Sequence, residues 1–309
     1  MTSPTPKDTS QLAQNGGLLM ASSTFDSNQS ENQYLEKTLR RAYDDFKTTP
    51  LARNWPIEEN NRVEFAFRVK IFGMAVPFLS RPQGVVLDVG TGAGIAARFF
   101  KLLGCRVLSV DFESASGTEA IENVRLAGVE GYACDIEREG LPATTGCIDV
   151  VVFTDVIEHL HHSPKPALEE MMRVLRPGGV VIATTPNALR LTVRLKVLLG
   201  ASNWPKIWDY FDRPGSHFGH HHEYTIEEFK GVFEKTGFVV EQFCLDESNS
   251  LTASFAGLGD LQTGIRAGSA AGRSNFYLVR RMIWLCAAMF PRLRSTMTVV
   301  ARKPSAITK

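Results

Sequence analysis

The side chains best placed to do chemistry in this chain are its histidines and a series of acids that end strand-like runs. All seven histidines fall into two clusters. His159, His161 and His162 form the first, and His217, His220, His221 and His222 the second. Imidazole exchanges a proton near neutral pH, so these clusters hold the candidate general bases. A second constellation is VVLDVGTGAG, Val85 to Gly94. An apolar, β-branched run meets Asp88, glycines follow at alternate positions (Gly90, Gly92, Gly94), and a helical pattern, IAARFFKLLG, begins at once. That order predicts a buried strand, a tight turn and a helix N-terminus. Backbone N–H groups there can meet a nucleotide-like ligand at the carboxyl edge of a sheet. Glycine lets backbone approach ligand with no Cβ between them.

The form of the turn narrows the ligand. A dinucleotide fingerprint, G-x-G-x-x-G, would place its last glycine where Ile95 stands, so the spacing speaks against NAD and FAD. No Gly-Lys-Ser/Thr follows, which excludes a P-loop. Asp88, two positions before Gly90, suits a ligand with a positive amino group. S-adenosylmethionine is such a ligand, its ammonium met by Asp88 and its carboxylate by backbone N–H groups.

These residues need a scaffold, and the pattern supplies one. Strands are expected at Val85–Val89, Arg106–Val110, Val129–Cys134, Ile148–Phe153, Val180–Thr185, Phe238–Phe243 and Ser295–Ala301. Helices are expected at Ile95–Leu103, at Ser114–Ala127 with Gly128 as its stop, at Pro166–Leu175, and after the capping box Thr225-Ile-Glu-Glu228. Such alternation calls for a mostly parallel sheet with helices on both faces. Asn32–Phe46 and Glu59–Phe78 carry helical spacing ahead of the first strand, either as a cap over the site or as plain cover for the sheet. Residues 1–30 are polar and poor in large apolar groups, the composition of a disordered tail.

The bulk composition excludes several classes. The 309 residues are 44% hydrophobic, enough for a large core, and the net charge of +1 does not announce nucleic acid. Five scattered cysteines without C-x-x-C read as reduced thiols of a cytoplasmic protein, mostly in core strands. No apolar h-region follows the start, and no apolar run approaches the ~20 residues that span a bilayer.

With these motifs in order, the chain resembles the class I S-adenosylmethionine-dependent methyltransferases, over roughly residues 60 to 245 and the last strand. LDVGTGAG is similar to that family's first motif. Asp111, ending the second strand, matches the acid that takes both ribose hydroxyls. Asp135 with Ile136 matches the adenine-binding position, and IDVVVFTDVIEHL resembles the fourth-strand motif, with Thr154 as a further donor-binding position. LEEMMRVLRPGGVVIATTPN resembles the segment feeding the fifth strand. The resemblance implies a Rossmann-like, seven-stranded, mostly parallel sheet whose last strand is antiparallel, inserted between the fifth and sixth. It divides the chain into a tail (1–30), an N-terminal helical cap (31–80), a donor-binding core (81–245) and a basic, apolar helical insertion with the final strand (246–309).

In that fold the first histidine cluster lies beside the methyl group and the second can reach the same mouth. His159 is then the first candidate for base or acceptor-orienting residue, and His220 the second. His161, His162, His221 and His222 are expected as solvated loop residues. Asp155-x-x-Glu158-His159 with His220 also resembles the metal-binding set of plant-type small-RNA 2′-O-methyltransferases, although that family has Glu at Asp155. A divalent metal is the less favoured reading. Leu189–Leu199 and Phe276–Pro291 are apolar with interleaved Arg and Lys, and after Asp260 about nine basic residues meet no acid. Particular likeness to ubiquinone-biosynthesis-like and polysaccharide-linked O-methyltransferases points to a small or lipid-linked hydroxyl acceptor, with weak contact to a membrane surface. An RNA 2′-O-methyltransferase and a catalytically silent partner subunit are the alternatives; no RNA-binding module is recognisable.

Overall fold

In the computed structural model of the protein, residues 29–53, 62–80, 83–202, 211, 219–247, 285–286 and 289–305 are described. The N-terminal tail (to residue 28), most of the Phe276–Phe290 segment, and His217 lie outside them. Seven strands are present: β1 (Val85–Val89), β2 (Arg106–Asp111), β3 (Glu130–Ala133), β4 (Ile148–Thr154), β5 (Leu175–Pro186), β6 (Val239–Asp246) and β7 (Thr296–Arg302). They form one sheet in the order β3-β2-β1-β4-β5-β7-β6. The first five run parallel, and β7 is antiparallel to both β5 and β6. The expected Rossmann-like sheet with its inserted antiparallel strand is the observed one.

Helices α1 (Gln29–Lys47), α2 (Arg62–Ala75), α3 (Ile95–Leu102), α4 (Ala115–Leu126), α5 (Lys165–Val174), α6 (Leu191–Leu198) and α7 (Ile226–Lys235) accompany it. Because strand side chains alternate between faces, the sheet separates two cores. Val86, Val107, Val150, Val152, Val180, Ile182 and Val300 join α1, α2 and α3 on one face. Leu87, Leu108, Val151, Phe153, Val181, Met297 and Val299 join α5 and α7 on the other. The N-terminal helices therefore cover the sheet: Leu39, Phe46 and Phe72 share a core with Phe99 and Phe100 of α3.

Two local details differ from expectation. Strand β5 starts at Leu175, because the Arg-Pro-Gly-Gly segment is held in the sheet. Gly178 N–H donates to Lys303 O at 3.0 Å, and Lys303 N–H to Gly179 O at 2.9 Å. A side chain at Gly179 would meet Asp149 O at 2.9 Å. The cysteines are free; Cys134 is buried, Cys105 and Cys244 pack against the core and Cys147 is exposed, but only Cys244 lies within a described strand. Among the described residues no helix is long and apolar enough to cross a membrane.

Asp149 ties the amino edge of the sheet together. Its buried carboxylate accepts from Val85 N–H (2.7 Å), Arg176 Nε (2.5 Å) and the Ser80 hydroxyl, while Arg176 also donates to Phe78 O at 2.8 Å. Burial alone would raise its pKa, but these donors outweigh it and hold the carboxyl below the usual range. A depressed folded-state value means stability that is complete above the unfolded pKa of about 4 and lost as pH falls through the folded one. Arg176 is about a third exposed, which screens its share. Asp149→Asn should lower stability at pH 7 by about 1–2 kcal/mol, with the deficit shrinking below pH ~4. Thermal melts across pH check this, and identical melts at pH 7 would count against it.

Candidate active site

Parallel strands deliver their carboxyl ends to one edge, and the candidate residues gather there. Asp88 sits at the end of β1, 2% exposed, with Thr91 Oγ1 at 3.5 Å from Oδ2. The glycine turn follows. Gly90, Gly92 and Gly94 all take positive φ (79°, 49° and 69°), the left-handed region that favours glycine. Gly90 and Thr91 N–H donate to Val110 O at 2.9 and 3.2 Å, fastening the turn to β2. Asp111 completes the fastening: Oδ2 accepts from Gly92 N–H at 2.9 Å and Oδ1 from Phe112 N–H at 2.8 Å. Burial raises the pKa of both acids, and for Asp88 the nearby Asp111 adds to it, taking Asp88 to about 7. Phe112, not singled out in the sequence, stands half-exposed beside Asp111, a flat apolar ring at the edge of the sheet.

Asp135 follows β3. Its Oδ1 accepts from Glu137 N–H at 3.0 Å, its backbone carbonyl caps Arg138 and Glu139, and Ile136 packs on the α5 side core. Thr154 closes β4, half-buried. The next residue, Asp155, is the one non-glycine with positive φ (55°) among the described residues. Its N–H donates to Thr184 O at 3.0 Å and its Oδ1 accepts from Thr184 Oγ1 at 2.9 Å. This tight reversal throws Val156 back over the glycine turn. A Cβ at Gly90 would lie 2.2 Å from Val156 Cγ2, so glycine there is needed for the close approach.

The short 3-10 turn Ile157–His159 comes next. Glu158 is fully buried, Oε2 accepting from Thr185 Oγ1 at 2.9 Å and Oε1 without a hydrogen-bond partner among the described residues. Burial, then the neighbouring Asp155, pushes its carboxyl well above the usual range. The Glu158 carbonyl accepts from His221 and His222 N–H at 2.7 and 3.3 Å, which draws the second histidine cluster onto the first. His159 and His220 meet edge to face at 4.9 Å between ring centroids. One ligand atom from each of Glu158, His159 and His220 lies within 4.8 Å of the others. Asp155 is not in that group, its carboxylate being turned to Thr184, so three of the four expected donors converge.

The imidazoles are oriented from behind. His159 Nδ1 is 3.2 Å from Gly219 O, a group that can only accept, so Nδ1 is the donor in that bond. His220 Nδ1 is 3.0 Å from Glu223 Oε1, and Arg190 grips the same carboxylate at 2.7 and 3.1 Å. Burial opposes ionisation of Glu223, but the bonds from His220 and Arg190 prevail and hold its pKa at about 2. Glu223 enters the sequence reading only within His-x-x-Glu-Tyr-Thr at 220–225, a further likeness to the small-RNA methyltransferases, and Arg190 only as one basic residue of Leu189–Leu199; neither was given this role, because a carboxylate three residues from a histidine is too common to stand out. Of the outer histidines, His161, His162 and His222 are exposed as expected and His221 is half-buried. His161 and His162 lie 3.5 and 3.3 Å from Glu137, and His161 stacks near His221. Asn187 anchors the second loop: its Nδ2 donates to Arg292 O and Arg294 O, both at 3.0 Å, and it bridges Tyr224.

The family described as "Methyltransferase domain" matches residues 52–242. The chain belongs to it. Its fold is that of the class I S-adenosylmethionine-dependent methyltransferases. Among curated relatives, a mitochondrial ubiquinone biosynthesis O-methyltransferase of Mus musculus is 26% identical over 167 residues, covering 50% of this chain and 41% of that protein. A protein of Mycolicibacterium smegmatis assigned as an S-adenosylmethionine-dependent methyltransferase is 36% identical over 104 residues, covering 34% and 38%. The matches thus span well under half the length of these relatives. A solved structure from Galdieria sulphuraria, described as a candidate sarcosine dimethylglycine methyltransferase, superposes with a TM-score of 0.50 at 15% identity, covering 87% of this chain and 98% of that one, a likeness of fold.

Proposed function

We propose that this methyltransferase moves the methyl group of S-adenosylmethionine to the hydroxyl of a small or lipid-linked acceptor. The observation that carries the reading is the contact of Val156 with the glycine turn, which sets Glu158, His159 and His220 against the donor end of the sheet. In this reading Asp88 faces the donor ammonium, and N–H groups of the Gly90–Gly94 turn face its carboxylate. Asp111 takes both ribose hydroxyls. Its oxygens each accept one backbone N–H and keep lone pairs to spare. Phe112 covers one face of the adenine, Asp135 and Ile136 meet its edge, and Thr154 lines the floor beside the sulfonium.

Transfer is an in-line displacement. An acceptor oxygen lone pair forms the new C–O bond, the C–S bond breaks, and its electron pair stays on sulfur as S-adenosylhomocysteine leaves. The leaving group is already activated, so alignment and exclusion of water are the main demands. The hydroxyl proton goes to Nε2 of His159, whose tautomer is set by Gly219 O. His220, held by Glu223 and Arg190, orients the acceptor.

The same three side chains favour a second reading, in which a divalent cation assists. Two imidazole nitrogens and a carboxylate with an unpartnered Oε1 suit such an ion. Glu158, His159 and His220 would hold it, and it would lower the pKa of a bound hydroxyl. The lipid-linked acceptor is supported by α6, whose end exposes Val197, Leu198 and Leu199 beside Arg194 and Lys196.

His159→Ala should reduce turnover by about 10²–10⁴-fold while donor affinity changes little. An unchanged rate at saturating acceptor would remove His159 from the chemistry. In the same assay, activity that survives exhaustive chelation sustains the metal-free route, whereas loss restored by Mg²⁺ or Mn²⁺ installs the cation reading. Flotation with anionic liposomes tests the lipid surface: binding at low salt that fades at high salt is expected, and protein left wholly at the bottom at low salt would speak against it.

A further inference from the structure

Arg98 is the largest fully buried side chain described, 2% exposed, and it lies in the first turn of α3. A cation there is unexpected on two counts. Arginine is rarely buried without a partner, and the amino end of a helix already carries partial positive charge. Its partners explain why it stays. Nη2 donates to Asn123 O and Oδ1 at 2.9 and 3.0 Å. Nη1 lies 3.4 Å from both Ala93 O and Gly94 O, and Asn123 Nδ2 donates to Ala93 O at 3.1 Å. The peptide between Ala93 and Gly94 is therefore gripped by two side chains. The charge is answered from another element: Nε donates to Asp45 Oδ2 at 2.7 Å, across from α1, with Phe46 of the same helix under the guanidinium at 5.8 Å.

This arrangement also explains the third glycine, which stands one place earlier than a dinucleotide fingerprint would have it. A Cβ at Gly94 would lie 2.5 Å from Val124 Cγ1 and 2.7 Å from Arg98 Nη1. Gly94 thus makes room for the guanidinium while taking the left-handed conformation that opens α3.

We propose that Arg98 is a positioning residue for the glycine turn, that Asp45 holds it in place from α1, and that α1 docking and donor binding are consequently coupled. This rests on the donor-site reading above. Asp45 lies well outside the turn, so losing its charge removes no donor contact. It leaves a buried guanidinium uncompensated beside a helix amino end, and the strain relaxes through the two elements Arg98 joins. A turn that is ordered only part of the time binds ligand more weakly by that fraction. By linkage, ligand that orders the turn must tighten α1 to the same degree.

The test compares wild type with Asp45→Asn, Asp45→Glu and Asp44→Asn, the last an exposed neighbour paired with Lys47. Calorimetry reads S-adenosylhomocysteine affinity, and hydrogen exchange reads residues 29–47 with and without that ligand. Wild type should bind and show slower exchange in α1 when bound. Asp45→Asn should bind about tenfold more weakly and lose that ligand-dependent protection, Asp45→Glu should recover both, and Asp44→Asn should match wild type. A folded Asp45→Asn that binds within twofold of wild type, or keeps the protection, overturns the coupling. Wild type that fails to bind contradicts the donor-site reading instead. Exchange at residues 92–98 in the free proteins then decides on Arg98: faster in Asp45→Asn sustains its positioning role, unchanged refutes it.

Discussion

The structure depends on the reversal of strand order at β1. One neighbour, β2, follows it in the chain, while the other, β4, arrives two crossovers later. The loops leaving β1 and β4 therefore start side by side at the carboxyl edge. The glycine turn must bend toward β2, where Val110 O and Asp111 capture it. The loop after β4 is then free to fold back across, and the positive φ of Asp155 makes it do so. The glycine turn, Glu158 and His159 hang from these loops, the second histidine cluster is drawn to them by the Glu158 carbonyl, and Asp111, Phe112, Asp135 and Ile136 follow the neighbouring strands β2 and β3.

The antiparallel β7 does the complementary work on the acceptor side. By separating β5 from β6 it sets the end of β5 against the segment before β7, where Asn187 joins Arg292 and Arg294. Asn187 also bridges Tyr224, so the loop bearing His220 and Glu223 is fixed to the sheet. Electrostatics then divides the acids by environment. Glu223, gripped by Arg190 and His220, stays ionised, while Glu158, buried with one bare oxygen, resists ionisation. The two imidazoles between them are each held at Nδ1, by Gly219 O and by Glu223, an orientation that suits them to accept a proton or to bind a cation.

Much of this was legible in the sequence because it is local. A strand running into Asp88 and three glycines marks where the turn falls, and the capping box at Thr225 and Glu228 forms as read. The end of β2 is marked by Asp111 for the same reason. What was not legible depends on pairs distant in the chain. Asp45 and Arg98 lie on different helices, and nothing in either neighbourhood announces the bond between them. Of the four donors read as a set, Glu158, His159 and His220 are the three that gather, while Asp155 Oδ1 accepts from Thr184 of β5, a partner its own neighbourhood does not announce. The continuation of β5 through Pro177 and the two glycines depends on β7, the last strand of the chain.

The central claim is that the carboxyl edge of β1 and β2 is the donor site, with Asp111 both building the turn and receiving the ribose. Titration calorimetry of S-adenosylhomocysteine into wild type and Asp111→Asn tests it most directly. The account predicts binding by wild type and a loss of at least tenfold in the variant, in protein that remains folded. Equal affinity in the two, or no binding by wild type, would contradict it.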